Sequence, residues 1–126
     1  MEAFFGTWKL AKKVNIDEFM KAVGVHETNG VPVTETVSKE GDHLVWTIKK
    51  GQHAAHIKFT LDKMFHDGTI QVRQCFSTIS LKGNQLVQVK KWGRKESTII
   101  REVNGKNMTM TVKFGGVQGQ RIYEKV

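Results

Sequence analysis

Turn signals recur along most of this chain and separate short segments in which apolar and polar residues alternate. Lys82-Gly83-Asn84 and Asn104-Gly105-Lys106, for example, are followed by Gln85-Leu86-Val87-Gln88-Val89 and by Met108-Thr109-Met110-Thr111-Val112. Pairs such as Asn-Gly favour tight hairpin turns, and alternation is typical of strands with one buried face. The pattern predicts a mainly β protein of about ten short antiparallel strands, arranged as an up-and-down barrel or a sandwich.

One segment has a helical pattern instead. After a first strand around residues 7–10, apolar residues recur at spacings of three and four, which places them on one face of a helix. The positions on this face are Ile16, Phe19, Met20 and Val23. We expect Asn15 and Glu18 to form a capping box at the start of the helix and Gly24 to end it. Residues 26–30 are polar and do not predict a second helix of normal length.

The length and composition fit one domain that spans residues 1–126. Hydrophobic residues make up 39% of the chain, which is enough to fill one core. A single cysteine, Cys75, excludes a disulfide framework and a cysteine-rich zinc site, and we expect it to be a buried thiol. The sequence shows no secretory signal pattern, membrane-spanning run or myristoylation motif. We therefore expect a cytoplasmic protein.

The chain is strongly basic, with a formal net charge of +8 and a pI near 9.8. Its lysines are scattered, and neither a zinc-finger spacing nor an RNA-binding aromatic signature accompanies them. We interpret the charge as solvating the surface, steering anionic ligands and allowing transient contact with anionic membranes. We expect a monomer that does not bind nucleic acid.

Motifs of catalysis and metal binding are missing from the sequence. There is no Gly-x-Ser-x-Gly elbow, phosphate-binding loop or dinucleotide fingerprint. The five histidines lie in different segments, and His53 with His56 is too small a set to predict a metal site. We expect neither an enzyme nor a bound cofactor or metal.

Two arginines and a tyrosine near the end of the chain are candidates for an anion site. Arg121 and Tyr123 are two residues apart on a predicted strand, so both side chains leave the same face. Arg101 ends an alternating run that we expect to pair with residues 108–114. If these faces point inward, the three side chains form a buried trap for a carboxylate. If they point outward, they are ordinary surface residues, which the tripeptide alone favours.

Three long stretches resemble the intracellular lipid-binding proteins, the family of the fatty-acid-binding proteins. They are Gly6-Thr7-Trp8-Lys9-Leu10 with residues 15–25, Phe59-Thr60-Leu61 up to Phe65, and Lys91-Trp92 through Arg101 to Arg121-Ile122-Tyr123-Glu124-Lys125. The similarity covers essentially the whole chain, and the last stretch is most similar to the heart, adipocyte and myelin branch.

The resemblance implies a ten-stranded antiparallel up-and-down β-barrel, or β-clam, whose two near-orthogonal sheets enclose a large cavity. In the family a helix-turn-helix lid closes one end. This chain has six residues between Val25 and Pro32, fewer than the family usually places there. We therefore expect a small, abbreviated helical lid after the first strand, with a short or missing second helix and a more open portal.

The resemblance also implies the function, a non-enzymatic intracellular carrier that reversibly binds a long-chain fatty acid. The two arginines and the tyrosine that hold the ligand carboxylate in the matching branch fall on Arg101, Arg121 and Tyr123. Candidate contacts to the ligand tail are Ile16, Phe19, Met20, Val25, Phe65, Phe76, Ile79, Ile99, Met110, Val112 and Phe114. Each of these is equally consistent with plain core packing. Further candidates for the polar part of the cavity are Lys90, Gln88, Arg73 and Thr69.

Lys90 has two interpretations. In the register of the family, Gln88 and Lys90 point into the barrel and Val89 points outward, so that Lys90 adds a third cation and favours a polar acid. In the interpretation that we favour, Lys90 extends its aliphatic stem to the barrel rim and keeps its ammonium group in water.

Other ligands and one other class of protein remain open. The same arginines and tyrosine would serve a carrier of retinoic acid, and the basic pI suits a bile acid carrier, although Tyr123 favours the other branch. A basic membrane-surface or nucleic-acid-binding module with an empty interior is the alternative of a different class. Displacement of a fluorescent fatty acid distinguishes these alternatives.

Overall fold

A computed structural model describes residues 1–24, 32–66 and 75–126 of the chain. A short 3-10 turn at Glu2–Phe4 precedes one α-helix and ten strands. In chain order they are β1 (Gly6–Val14), α1 (Ile16–Val23), β2 (Val33–Glu40), β3 (His43–Lys50), β4 (His53–Phe59), β5 (Phe65–His66), β6 (Phe76–Lys82), β7 (Gln85–Trp92), β8 (Lys95–Asn104), β9 (Asn107–Phe114) and β10 (Val117–Lys125).

The ten strands form one antiparallel sheet that curls into a nearly closed barrel. Its order is β4-β3-β2-β1-β10-β9-β8-β7-β6-β5, so each strand from β1 to β4 and from β5 to β10 pairs with its neighbour in sequence. Pairing of β1 with β10 joins the two halves, and the sheet ends at β4 and β5. The predicted up-and-down barrel is therefore confirmed, and the hydrogen-bonded strands form one continuous sheet.

The alternating sequence pattern becomes an alternation of burial along each strand. In β9, Met108, Met110 and Val112 are buried, whereas the residues between them are partly exposed. The predicted partner of the Arg101 strand is confirmed, since β8 pairs with β9 and Arg101 lies opposite Met110. Gly105 has a φ of 64° in the turn between them, a conformation that glycine adopts without strain.

Helix α1 lies across β9 and β10 and buries Ile16, Phe19 and Val23. As predicted, Gly24 ends it: its φ is 87°, and its N–H donates to the Lys21 and Met20 carbonyls. The prediction of a capping box at the start of the helix is wrong. Asn15 has a left-handed backbone (φ 55°) rather than the extended one that N-caps use, and its Nδ2 donates to the Gln118 carbonyl of β10 at 2.7 Å.

Three of the predicted site residues lie outside the described residues. They are Val25, Thr69 and Arg73. The segment that was expected to hold a short second lid helix is also outside the described residues. Within the described ranges, no helix combines the length and the apolar character that a membrane crossing requires.

Phe76 does not face the interior, contrary to its prediction as a tail contact. It is 39% exposed at the start of β6 and meets His66 edge-on, with 5.7 Å between ring centroids. Phe76 and Ile79 are three residues apart, and the period of two places such residues on opposite faces of a strand. Ile79 is the one that is fully buried.

Close packing of helix α1 on β10 depends on Gly119. A Cβ atom at this position would lie 2.8 Å from the Asn15 carbonyl oxygen and 3.1 Å from Ile16 Cδ1. We expect Gly119→Ala to lower the free energy of unfolding by about 1 to 3 kcal/mol, because backbone cannot move aside as a side-chain tip can. Urea unfolding at pH 7 measures this difference.

Gly116→Ala is the matched control for Gly119→Ala. No atom lies within 4 Å of a Cβ built at Gly116. The control should change the free energy of unfolding by less than about 0.5 kcal/mol. Equal effects of the two substitutions would show that the helix does not depend on this contact.

Candidate functional site

A cavity of about 130 Å³ lies inside the barrel. Strands from both halves of the sheet contribute to its wall, which combines an apolar part with a polar part. The lining residues are Val33, Glu35, Trp46, Ile48, Lys50, Ile57, Gln88, Lys90, Ile99, Arg101, Met110, Arg121 and Tyr123. Four of these side chains are cationic and one is a carboxylate, so the cavity is electrostatically suited to an anion.

The structure brings Arg101, Arg121 and Tyr123 together on this wall. Met110 of β9 lies opposite Arg101 of β8 on one side and opposite Arg121 of β10 on the other. The two arginines therefore flank one methionine on the same face, and Tyr123 follows two residues after Arg121. Arg101 and Tyr123 are buried and Arg121 is partly exposed. The side chains of Arg121 and Tyr123 therefore face the interior of the barrel and not the outer surface.

Arg101 is held by contacts on several sides. Its Nη2 lies 3.5 Å from Glu35 Oε1, and its Nη1 donates to Gln88 Oε1 at 3.2 Å. Its guanidinium carbon lies 4.3 Å from the ring centroid of Trp46, within the range of a cation–π contact. Its Nε–H is buried and has no partner among the described residues.

Glu35 is a buried carboxylate that the sequence analysis missed. Its Oε1 accepts a hydrogen bond from Trp46 Nε1 at 2.6 Å and forms the ion pair with Arg101. A buried carboxylate needs such partners, because an unpaired charge in a low-dielectric interior is costly. The alternation along β2 could have identified Glu35, because it lies on the same face of the strand as Val33 and Val37.

Tyr123 supplies a neutral phenol. Burial raises its pKa well above the ordinary value of 10.0, and the negative charge of Glu35 raises it further, while the positive charge of Arg121 opposes the shift. The hydroxyl lies 3.9 Å from Met110 Sδ. Because the phenol keeps its proton at physiological pH, its O–H remains a hydrogen-bond donor.

Lys90 and Gln88 both point into the barrel. Lys90 is 8% exposed and lines the cavity, so the favoured interpretation, in which it extends to the rim, is wrong. Gln88 donates through Nε2 to Ser77 Oγ at 3.2 Å and accepts from Arg101. Lys50, at the end of β3, also lines the cavity and was not predicted.

A second, smaller cavity of about 80 Å³ lies beneath helix α1. It shares Lys90, Ile99, Met110 and Arg121 with the first cavity. Its other lining residues are Phe19, Met20, Val23, Trp92, Ser97 and Val112. Both cavities are below the roughly 300–1,000 Å³ of typical ligand pockets. A long acyl chain therefore requires side chains to move, and flexible residues such as Met20 and Met110 suit this.

Apart from Val25 and Phe76, the predicted tail contacts divide into two groups. Five of them line one or both cavities: Phe19, Met20, Ile99, Met110 and Val112. Others pack in the hydrophobic core: Ile16, Phe65, Ile79 and Phe114. Phe65 stacks on Phe59 and Phe114 on Trp92, with ring centroids 5.7 Å and 5.6 Å apart. Contact of either group with a ligand stays a prediction.

Cys75 is a fully buried thiol outside any disulfide. Among residues 1–24, 32–66 and 75–126, no cluster of three or more histidine, cysteine or acidic side chains is arranged to hold a metal ion.

Comparison with known proteins assigns the family. Residues 5–126 match the model of the Lipocalin / cytosolic fatty-acid binding protein family. The chain belongs to this family. Human Fatty acid-binding protein 9 is 33% identical over 131 aligned positions, which cover 100% of this chain and 99% of that protein.

Solved structures of fatty-acid-binding proteins have the same fold. Fatty-acid-binding protein 1 of Echinococcus granulosus superimposes with a TM-score of 0.93 at 28% identity, covering 100% of this chain and 99% of the other. The Schistosoma mansoni fatty acid binding protein in complex with arachidonic acid gives 0.92 at 27% identity, covering 100% and 98%. These relatives are named as binding proteins and not as enzymes.

Proposed function

We propose that this protein is a non-enzymatic carrier that reversibly binds a long-chain fatty acid inside its barrel. The observation that carries the proposal is the position of Arg101, Arg121 and Tyr123 on the wall of one internal cavity. Its membership of a family whose relatives include a complex with arachidonic acid gives further support.

The cationic wall accounts for recognition of the acid. A carboxylate that leaves water must be paired and hydrogen-bonded, or it takes up a proton. Arginine suits this task because its guanidinium stays charged and its planar fork matches two carboxylate oxygens. Tyr123 adds a neutral O–H donor on the same wall.

Burial of the acyl chain accounts for most of the affinity. At about 0.8 kcal/mol for each buried methylene, roughly ten methylenes contribute about 8 kcal/mol before ordering costs. The apolar side chains that line the two cavities provide the surroundings for this chain, among them Phe19, Ile99 and Met110. Net affinities between micromolar and nanomolar follow from these magnitudes.

In the cell, the protein would act as a monomer in the cytoplasm and carry the acid between membranes or to enzymes. Its net charge of +8 supports transient contact with anionic membranes, where such acids enter and leave. Contact of this kind is weak and decreases with salt.

Displacement of a fluorescent fatty acid by oleate or palmitate tests the function. We expect the wild-type protein to bind oleate with a micromolar or tighter Kd. Arg121→Gln should weaken binding about 10- to 100-fold, because hydrogen bonds to charged groups contribute about 1.5 to 3 kcal/mol. Retinoic acid and a bile acid, measured in parallel, establish which acid is preferred.

Arg94→Gln is the control, since Arg94 lies exposed in the turn between β7 and β8. It removes the same charge and should leave the Kd unchanged. Absence of displacement in the wild-type protein, or equal effects of the two substitutions, would contradict the proposal. Vesicle binding that persists in Arg121→Gln without any fatty-acid binding would instead support the membrane-surface module.

A further inference from the structure

We propose that the cavity beneath helix α1 binds a second oxygen group of the ligand, so that this protein prefers long-chain fatty acids with a hydroxyl group near the middle of the chain. Ser97 of β8 binds this hydroxyl, while the arginines and the tyrosine of the first cavity bind the carboxylate. This inference rests on the proposed function and specifies the class of fatty acid that the barrel selects.

Ser97 has a buried hydroxyl without a hydrogen-bond partner in the part of the chain that the structure describes. The residue is 2% exposed and lines the second cavity, where most of the other lining residues are apolar, among them Phe19, Val23 and Val112. Buried hydroxyls normally have a partner, because an unpaired one has lost its hydrogen bonds to water. A hydroxyl group of a ligand suits this position, since it can donate to Ser97 Oγ or accept from it.

The inner face of β8 connects this hydroxyl to the carboxylate site. Arg101, Ile99 and Ser97 are alternate residues of the strand, and all three are buried. Arg101 lines the first cavity, Ser97 lines the second, and Ile99 lines both. An acyl chain that runs along β8 over Ile99 therefore passes from one cavity into the other.

Arg101 has an unpartnered group at the other end of this path. Its terminal nitrogens contact Gln88 and Glu35, but its Nε–H is buried and has no partner among the described residues. A ligand carboxylate in the first cavity can accept a hydrogen bond from this N–H, and such charge-assisted bonds are strong. The path along β8 therefore begins and ends at a buried group that a ligand oxygen can satisfy.

The spacing of the two groups determines where the hydroxyl lies on the acyl chain. Ser97 and Arg101 are four residues apart on β8, which corresponds to about 13 Å along a strand. An extended carbon chain advances about 1.2 Å per bond, as an extended polypeptide backbone does. A carboxylate at Arg101 and a hydroxyl at Ser97 are then about eleven bonds apart, so the hydroxyl belongs near the middle of the chain.

Displacement of a fluorescent fatty acid by stearate, 2-hydroxystearate and 12-hydroxystearate tests the inference. In a wholly apolar site an added hydroxyl weakens binding, because nothing compensates its desolvation. We expect the opposite order here: 12-hydroxystearate should bind about 3- to 10-fold tighter than stearate, and also tighter than 2-hydroxystearate. Ser97→Ala should abolish this preference, so that stearate binds at least as tightly as 12-hydroxystearate.

Thr98→Val is the matched control, since it removes a hydroxyl from the next residue of β8, on the opposite face of the strand, and should keep the wild-type preference. If the wild-type protein binds none of these acids, the proposed function fails. If it binds stearate at least as tightly as 12-hydroxystearate, or if Ser97→Ala keeps the preference, the proposed function stands and the inference is wrong. An equal gain for 2-hydroxystearate would also overturn it. The wild-type series decides the question even if Ser97→Ala does not fold.

Discussion

Arg101→Met is expected to lower the free energy of unfolding by about 3 to 5 kcal/mol, because it leaves the Glu35 carboxylate buried without its cation. The two side chains are 5% and 3% exposed, so the carboxylate is largely cut off from bulk water. Trp46 would still donate to Glu35, but hydrogen bonds from neutral groups do not compensate the loss of a full positive charge. Urea unfolding at pH 7, followed by tryptophan fluorescence, measures the loss.

Lys58→Met is the matched control, because it breaks an ion pair of nearly the same length on the surface. Lys58 Nζ lies 3.4 Å from Glu40 Oε1, with side chains that are 61% and 67% exposed. Exposed pairs contribute at most about 1 kcal/mol, so this variant should unfold near the wild-type urea concentration. Adding Glu35→Gln to Arg101→Met should restore part of the stability. Similar losses for Arg101→Met and Lys58→Met would show that Glu35 tolerates burial without Arg101.

A buried ion pair such as Arg101–Glu35 does not by itself imply a net gain in stability. Replacing both members of such a pair by apolar residues is often neutral or stabilising, because their desolvation costs about as much as their attraction contributes.

Phe59→Ala is expected to lower the free energy of unfolding by about 3 to 5 kcal/mol, because a buried aromatic ring is replaced by a cavity. Phe59 ends β4 and stacks on Phe65 of β5, with 5.7 Å between centroids and 24° between ring planes. Strands β4 and β5 are the two ends of the sheet, so this stack connects strands that the ladder leaves unpaired. Equilibrium unfolding in urea gives the difference.

Phe76→Ala provides the comparison with the same change of side chain. Phe76 is 39% exposed on the outer face of β6, and we expect its removal to cost less than about 1 kcal/mol. If the two variants lose the same stability, the stack between β4 and β5 is not a major contact of the barrel.

Most of the fold could be predicted from the chain because its determinants are local. Glycine in each tight turn permits the positive φ that a hairpin requires, and alternation with a period of two fixes which residues share a face. These rules place Arg121 and Tyr123 together and pair β8 with β9, as the structure confirms. The same period of two also places Phe76 on the face opposite Ile79. It places Glu35 on the same buried face as Val37.

What the sequence alone determined is the number of strands, the position of helix α1 and the set of side chains on each face. Only the tertiary structure decided which of those side chains meet. Glu35 and Arg101 are 66 residues apart in the chain, and Asn15 and Gln118 are 103 apart. The physical reason is that turn chemistry and periodicity act over a few residues, whereas a contact across the barrel depends on closure of the whole sheet through β1 and β10.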